Sequence, residues 1–208
     1  NLLISRGVKK GDKVAILLMN CLEWLPIYFG VLKTGALAVP LNFRYSSEEI
    51  EYCLNLSESD VLVFGPEFIG RVEEIADSIS KNRLVFFVGD GCPSFAESYV
   101  QQSVNCSCQS PDIVLRDIDD AAIYFSSGTT GMPKMILHDF TYPLGHIVTA
   151  KYWQKVEDGG LHLTVSDSGW AKFGWGKIYG QWICGAVVVA YDTEKFRPQK
   201  LLETIDRL

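Results

Sequence analysis

A chain of 208 residues, 48% apolar and 21% charged, has the composition of a globular protein. It is long enough for one good core or for two subdomains sharing a face. A net charge of −6 without a basic run argues against a nucleic-acid surface, and the longest apolar runs, Val14 to Met19 and Ala186 to Ala190, are far too short to cross a bilayer.

Asn1 to Arg6 lack the charged-then-apolar-then-small order of a secretory leader. The missing initiator Met, and an ending inside an apparent helix, read as a fragment. Six cysteines, Cys21, Cys53, Cys92, Cys106, Cys108 and Cys184, are irregularly spaced. Cys106 and Cys108 form a close pair, but the three histidines do not complete a zinc-like pattern, so no metal site is expected. Free thiols in a reducing compartment, hence a cytoplasmic protein, are the expectation.

In chain order, Lys13 to Met19 reads as a strand. Cys21 to Lys33 follows as a helix with Leu22, Leu25, Phe29 and Leu32 on one face, closed by Gly35. Ala36 to Leu41 returns as a strand, making a βαβ unit with the expected right-handed crossover. Ser46 and Glu49 form a capping box ahead of a helix over Ile50 to Leu56. Strand (Asp60 to Gly65), helix (Glu67 to Lys81) and strand (Leu84 to Val88) follow. Residues 89 to 117, rich in Gly, Ser, Gln, Cys and Asn, read as a surface connection, and a boundary falls near residue 118. This divides the chain into a first α/β subdomain, 1–118, and the start of a second, 119–208. In the latter, Leu144 to Trp153 and Ala171 to Cys184 read as helices. Leu161 to Val165 and Ala186 to Ala190 read as strands, and a helix opens at Pro198. The class is α/β, with mostly parallel sheets flanked by helices.

An apolar run, Ala121 to Phe125, leads into Ser126-Ser127-Gly128-Thr129-Thr130-Gly131-Met132-Pro133-Lys134, and Met135 to Leu137 leads out. Gly128 and Gly131 take positive φ at little steric cost, so successive amides can turn toward one point. Four hydroxyls and a lysine add donors and charge, a set suited to the oxygens of a polyphosphate. It is not the Walker loop, whose lysine opens a helix; here Lys134 follows Pro133 and enters a strand. The bland alternative is a Ser/Gly/Thr linker.

Tyr124 to Lys134 resembles the phosphate-loop signature of the adenylate-forming superfamily, which includes acyl-CoA synthetases, peptide-synthetase adenylation domains and luciferases. Gly11 to Ala15 and Gly35 to Asn42 resemble earlier landmarks of acyl-CoA synthetases. Ser166-Asp167-Ser168-Gly169-Trp170-Ala171-Lys172 resembles the next one, in the form typical of medium-chain synthetases. The resemblance implies part of the N-terminal domain of such an enzyme. ATP would be bound by Ser126, Ser127, Gly128, Thr129, Thr130, Gly131 and Lys134, with CoA as co-substrate and magnesium held by a residue outside this chain. Partners would be a small carboxylic acid, ATP, CoA and, among macromolecules, further copies of the chain. The implied chemistry activates an acid as acyl-AMP and passes it to CoA. No residue here is a general base or a covalent intermediate, and the chain alone is expected to be inactive. Two alternatives stay open: another adenylate-former of the peptide-synthetase kind, or a non-catalytic binding or scaffold protein with the same fold.

Trp175, Tyr179 and Trp182, at i, i+4 and i+7, should share one helical stripe, usually a sign of core packing. Gly174, Gly176 and Gly180 in the same segment cost helix propensity, about 1 kcal/mol each, which implies close approach of a backbone or ligand. By the resemblance, Lys172 and Trp175 line the acyl pocket and Trp170 supports it. His138, four residues past Lys134, reads as a strand-end histidine bonded to backbone. His146 and His162 receive no role.

Overall fold

The computed structural model describes residues 1–127, 131–193 and 195–208, and of Ser127 the backbone only. The strands are β1 (Lys13–Leu17), β2 (Leu37–Pro40), β3 (Val61–Phe64), β4 (Leu84–Phe87), β5 (Glu97–Ser98), β6 (Asp120–Ser127) and β7 (Pro133–Asp139). They form one sheet in the order β5-β4-β3-β1-β2-β6-β7, parallel except for the antiparallel β6–β7 pair. The mostly parallel α/β class is therefore what the chain adopts.

The central strands are apolar on both sides because helices cover both faces. Val14, Ile16, Val61, Val63 and Phe86 point to one face, where α2 (Trp24–Lys33) contributes Trp24, Ile27, Tyr28 and Val31. Ala15, Leu17, Leu62, Phe64, Val85 and Phe87 point to the other. There Ile50, Cys53 and Leu54 of α3 (Ser47–Leu56) meet Phe68, Val72 and Ile79. The expected capping box opens α3: the Glu49 amide donates to Ser46 Oγ at 3.2 Å, and the Ser46 amide donates to the Glu49 carboxylate at 2.8 Å. Such a cap stabilises a helix by about 1 kcal/mol. Gly35 closes α2 at φ +76°, a conformation other residues adopt only under strain.

Two expectations change in detail. The helix over Glu67 to Lys81 is broken into a 3₁₀ turn (Pro66–Phe68) and two short helices (Ile69–Glu73 and Ala76–Ile79). At the break the Ile75 amide donates to Val72 O, a tightened three-residue turn. The connection 89–117 is partly ordered, since β5 pairs with β4 and Arg6 holds Glu97 in a 2.5 Å ion pair. β6 pairs with β2 through Ala38 and Ala122, so the main sheet crosses residue 118. The separate two-stranded sheet, β8 (Leu161–Leu163) with β9 (Val187–Val189), lies wholly after it.

Candidate nucleotide and acyl site

β6 runs parallel to β2 and β1, so the Ser126–Lys134 loop leaves the sheet at the same carboxyl edge as the segments after β1 and β2. In open α/β sheets ligands bind outside that edge. β7 returns antiparallel with Ser126 opposite Lys134 and Ser127 opposite Pro133. The side chains of Ser126 and Lys134 are exposed and form no hydrogen bond or ion pair with other described residues. Gly131 has φ +95°, and no described atom lies within 4 Å of where its Cβ would stand. Gly128, Thr129 and Thr130, and the side chain of Ser127, lie outside the described residues.

The second motif docks on the same edge. Ser168 Oγ donates to Leu18 O at 2.9 Å, and its amide donates to Asn20 Oδ1 at 2.9 Å. Leu18 and Asn20 follow β1. A Cβ on Gly169 would stand 2.0 Å from Leu41 O, just past β2, so only glycine lets the loop seat this closely. Trp170 is exposed and precedes the helix that carries Lys172 and Trp175.

That helix is not uniform. It begins as α (Ala171–Phe173), widens into a π turn (Gly174–Ile178) and resumes as α (Tyr179–Ile183). The expected stripe is therefore split. Trp175 is half-buried and stacks with His146 (6.0 Å, 24°) and Trp153 (6.4 Å, 25°), whereas Trp182 stacks with Phe29 (5.5 Å, 30°). Tyr179, between them, is buried. The extra residue in a π turn rotates the succeeding turn about the axis. The close approach read from the glycines is present. A Cβ on Gly180 would stand 2.2 Å from His146 O, and one on Gly174 would stand 2.7 Å from Tyr124 Oη. The π turn frees the Gly176 carbonyl, which accepts from Thr164 Oγ1 at 2.8 Å and Gln154 Nε2 at 3.2 Å. Lys172 is exposed, and its stem lies against Gly176.

Tyr28, Tyr124 and Tyr179 join their hydroxyls beneath this helix, with Tyr124 to Tyr179 at 2.6 Å and Tyr28 to Tyr124 at 3.2 Å. Burial raises all three phenols above their ordinary range. Tyr179→Phe should cost roughly 1–3 kcal/mol by leaving buried partners short of a bond. Urea unfolding measures this, and an unchanged midpoint would show that the triad contributes nothing.

His138 differs from its expectation. Its side chain forms no hydrogen bond to backbone among the described residues but stacks on Tyr142 at 3.7 Å, and burial lowers its pKa. His146, given no role from sequence, reaches Trp175. His162 Nε2 lies 2.8 Å from Thr164 Oγ1 and 3.2 Å from Gly176 O.

Sequence reasoning missed Lys177. It is 1% exposed, its Nζ is 3.4 Å from Ser166 O and 5.0 Å from the Phe173 ring centre, and burial pushes its pKa down to about 8, against the pull of Asp167. A signal existed: 173, 177 and 181 are four apart, on the face that Phe173 buries. The unfolded chain keeps this proton up to the ordinary value of 10.5, so between pH 8 and 10.5 it binds more protons than the folded one. Stability owed to this group therefore rises with pH through that window, and the charged form is a burden below it. Lys177→Met should raise stability most at pH 7, and the difference should shrink by pH 9.5. Paired denaturation curves at the two pH values test this; a difference independent of pH would refute it.

The model of the AMP-binding enzyme family matches residues 1–208. The chain belongs to that family. The resemblance read from Tyr124 to Lys134 thus extends over the whole chain. Among curated relatives, the chain is 28% identical over 204 residues to acyl-coenzyme A synthetase ACSM4, mitochondrial, of Rattus norvegicus, covering 96% of this chain and 34% of the relative. It is 29% identical over 206 residues to acyl-coenzyme A synthetase ACSM2B, mitochondrial, of Homo sapiens, with the same coverage. It therefore spans about a third of the length of these relatives. Among solved structures, the anthranilate CoA ligase AuaEII in complex with anthranoyl-AMP superposes with a TM-score of 0.93 at 25% identity, covering 100% of this chain and 40% of that one.

Proposed function

We propose that this chain forms the phosphate-binding and acyl-binding portion of an AMP-forming acyl-CoA synthetase. The observation that carries this is the meeting of two motifs on one sheet edge. The Ser126–Lys134 loop leaves it from β6, and Ser166 to Trp170 is pinned to it through Leu18, Asn20 and Leu41.

In this reading the carboxylate of a small acid attacks the α-phosphorus of ATP. The bond to the β-phosphate breaks, and CoA then displaces AMP through sulfur. The leaving pyrophosphate gathers negative charge as that bond breaks. Lys134 meets it with a cation, Ser126 and Ser127 with hydroxyls, and Gly128 to Gly131 with amides and the two threonine hydroxyls. The attacking carboxylate is already anionic, so this half-reaction needs no base, and none is assigned to the loop. Trp175, backed by His146 and Trp153, walls the acyl group; Lys172 stands at its mouth and Trp170 supports the turn. These seats hold the acid for in-line attack.

No cluster of three His, Cys, Asp or Glu side chains able to hold a metal ion occurs among the described residues, so no step is assigned to magnesium here. A cytoplasmic setting rests on the six unpaired cysteines, whereas the curated relatives carry "mitochondrial" in their names. No helix among the described residues is long and apolar enough to cross a membrane.

The test is ATP–pyrophosphate exchange by the full-length protein that carries this chain, across short, medium, branched and aryl acids. Acid-dependent exchange, followed by AMP release on adding CoA, is the expected result. Exchange no higher with any acid than without one would overturn the reading.

A further inference from the structure

A cavity of about 330 Å³ lies between α2 and the helix over 171–183, at the other end of the β6–β7 hairpin from the phosphate loop. Pro133 begins β7 beside that loop, and Phe140, at the cavity, follows its end. Seven residues of strand place the two roughly 23 Å apart. Phe29, Leu32, Phe140, Tyr179 and Trp182 make the walls almost wholly hydrocarbon. Tyr179 presents its ring to the cavity while its hydroxyl is held by Tyr28 and Tyr124.

The single charged side chain in the lining is Lys33, exposed at the end of α2 and in no ion pair among the described residues. Its volume lies near the small end of the range for small-molecule sites, about 300–1,000 Å³. Apolar walls with one cation at the rim match an amphiphile with a short tail and an anionic head.

We infer that this cavity is a second binding site, for a medium-chain fatty acid anion, with the tail among Phe29, Phe140 and Trp182 and the carboxylate at Lys33. It is separate from the proposed catalytic site and binds without ATP.

Calorimetric titration of the full-length protein that carries this chain with hexanoate, octanoate and decanoate, below micellar concentrations and without nucleotide, tests this. Each added methylene should tighten binding roughly threefold to fourfold until the cavity is full. Lys33→Met should weaken decanoate by roughly twofold to fivefold, the effect of one exposed ion pair, and leave 1-decanol unchanged. Leu115→Trp, at a half-buried lining position, should fill the cavity and abolish the decanoate binding that depends on Lys33. If that variant fails to fold, Ile183→Asp, which places a carboxylate at the half-exposed rim, should do the same. Affinity independent of tail length would overturn the inference, as would decanoate binding unchanged in the folded variant. Since no ATP is present, neither result bears on pyrophosphate exchange.

Discussion

Lys134→Ala in the full-length protein should lower ATP–pyrophosphate exchange by tenfold or more. A charge-assisted contact contributes roughly 1.5–3 kcal/mol, and about 1.4 kcal/mol is a tenfold change in rate. The loss should fall mainly on the rate at saturating ATP, because charge on the β- and γ-phosphates grows as the bond to the α-phosphorus breaks. Lys134 is exposed and pairs with no described group, so truncating it leaves stability close to that of the parent. An unchanged exchange rate in a folded variant would remove the phosphate role from Lys134. The neighbouring Gly131→Val should do more harm than Ser126→Ala. With φ +95° and no described atom near its missing Cβ, Gly131 would suffer first through its backbone. A reversed order would show that the loop does not act through its amides.

Trimming Trp175 to Ala should redirect the enzyme toward longer or branched acids. The indole is half-buried, stacks at 6.0 and 6.4 Å on His146 and Trp153 and packs against the edge of the core, so its removal opens space as well as losing packing. Each methylene of a longer acid that fills this space is worth about 0.8 kcal/mol, so two more should move the preference by tenfold or more. Short acids should lose rate as well, since the surface that held them for attack is gone. If Trp175 served only packing, the change would cost roughly 3–5 kcal/mol of stability and leave the ranking of acids alone. Melting temperature and the ratio of rates for butyrate and octanoate, measured together, separate the two. A lower melting temperature with an unaltered ratio would sink the pocket assignment.

Local chemistry was open to reading because it is written within a few residues of itself. Ser46 and Glu49 cap α3 three positions apart, Gly35 ends α2, and the apolar runs at Lys13–Leu17 and Val61–Phe64 announce strands buried on both faces. The Tyr124–Lys134 signature carries family membership because glycines, hydroxyls and a lysine stand at fixed spacing beside a strand. Tertiary structure alone decided which strands pair, since hydrogen-bond partners far apart in sequence leave no mark on periodicity: β6 beside β2 is such a pair. It also decided that Ser166 to Trp170 comes to the phosphate-loop edge, through contacts to Leu18 and Asn20 almost 150 positions away. The π turn at Gly174–Ile178 has the same origin. Tyr124 and the His146 carbonyl press on Gly174 and Gly180, and Thr164 and Gln154 satisfy the freed Gly176 carbonyl. A helical period of 3.6 presumes a regular helix, so it joined Trp175 to Trp182 and passed over Lys177, whose burial depends on packing that only the folded chain supplies.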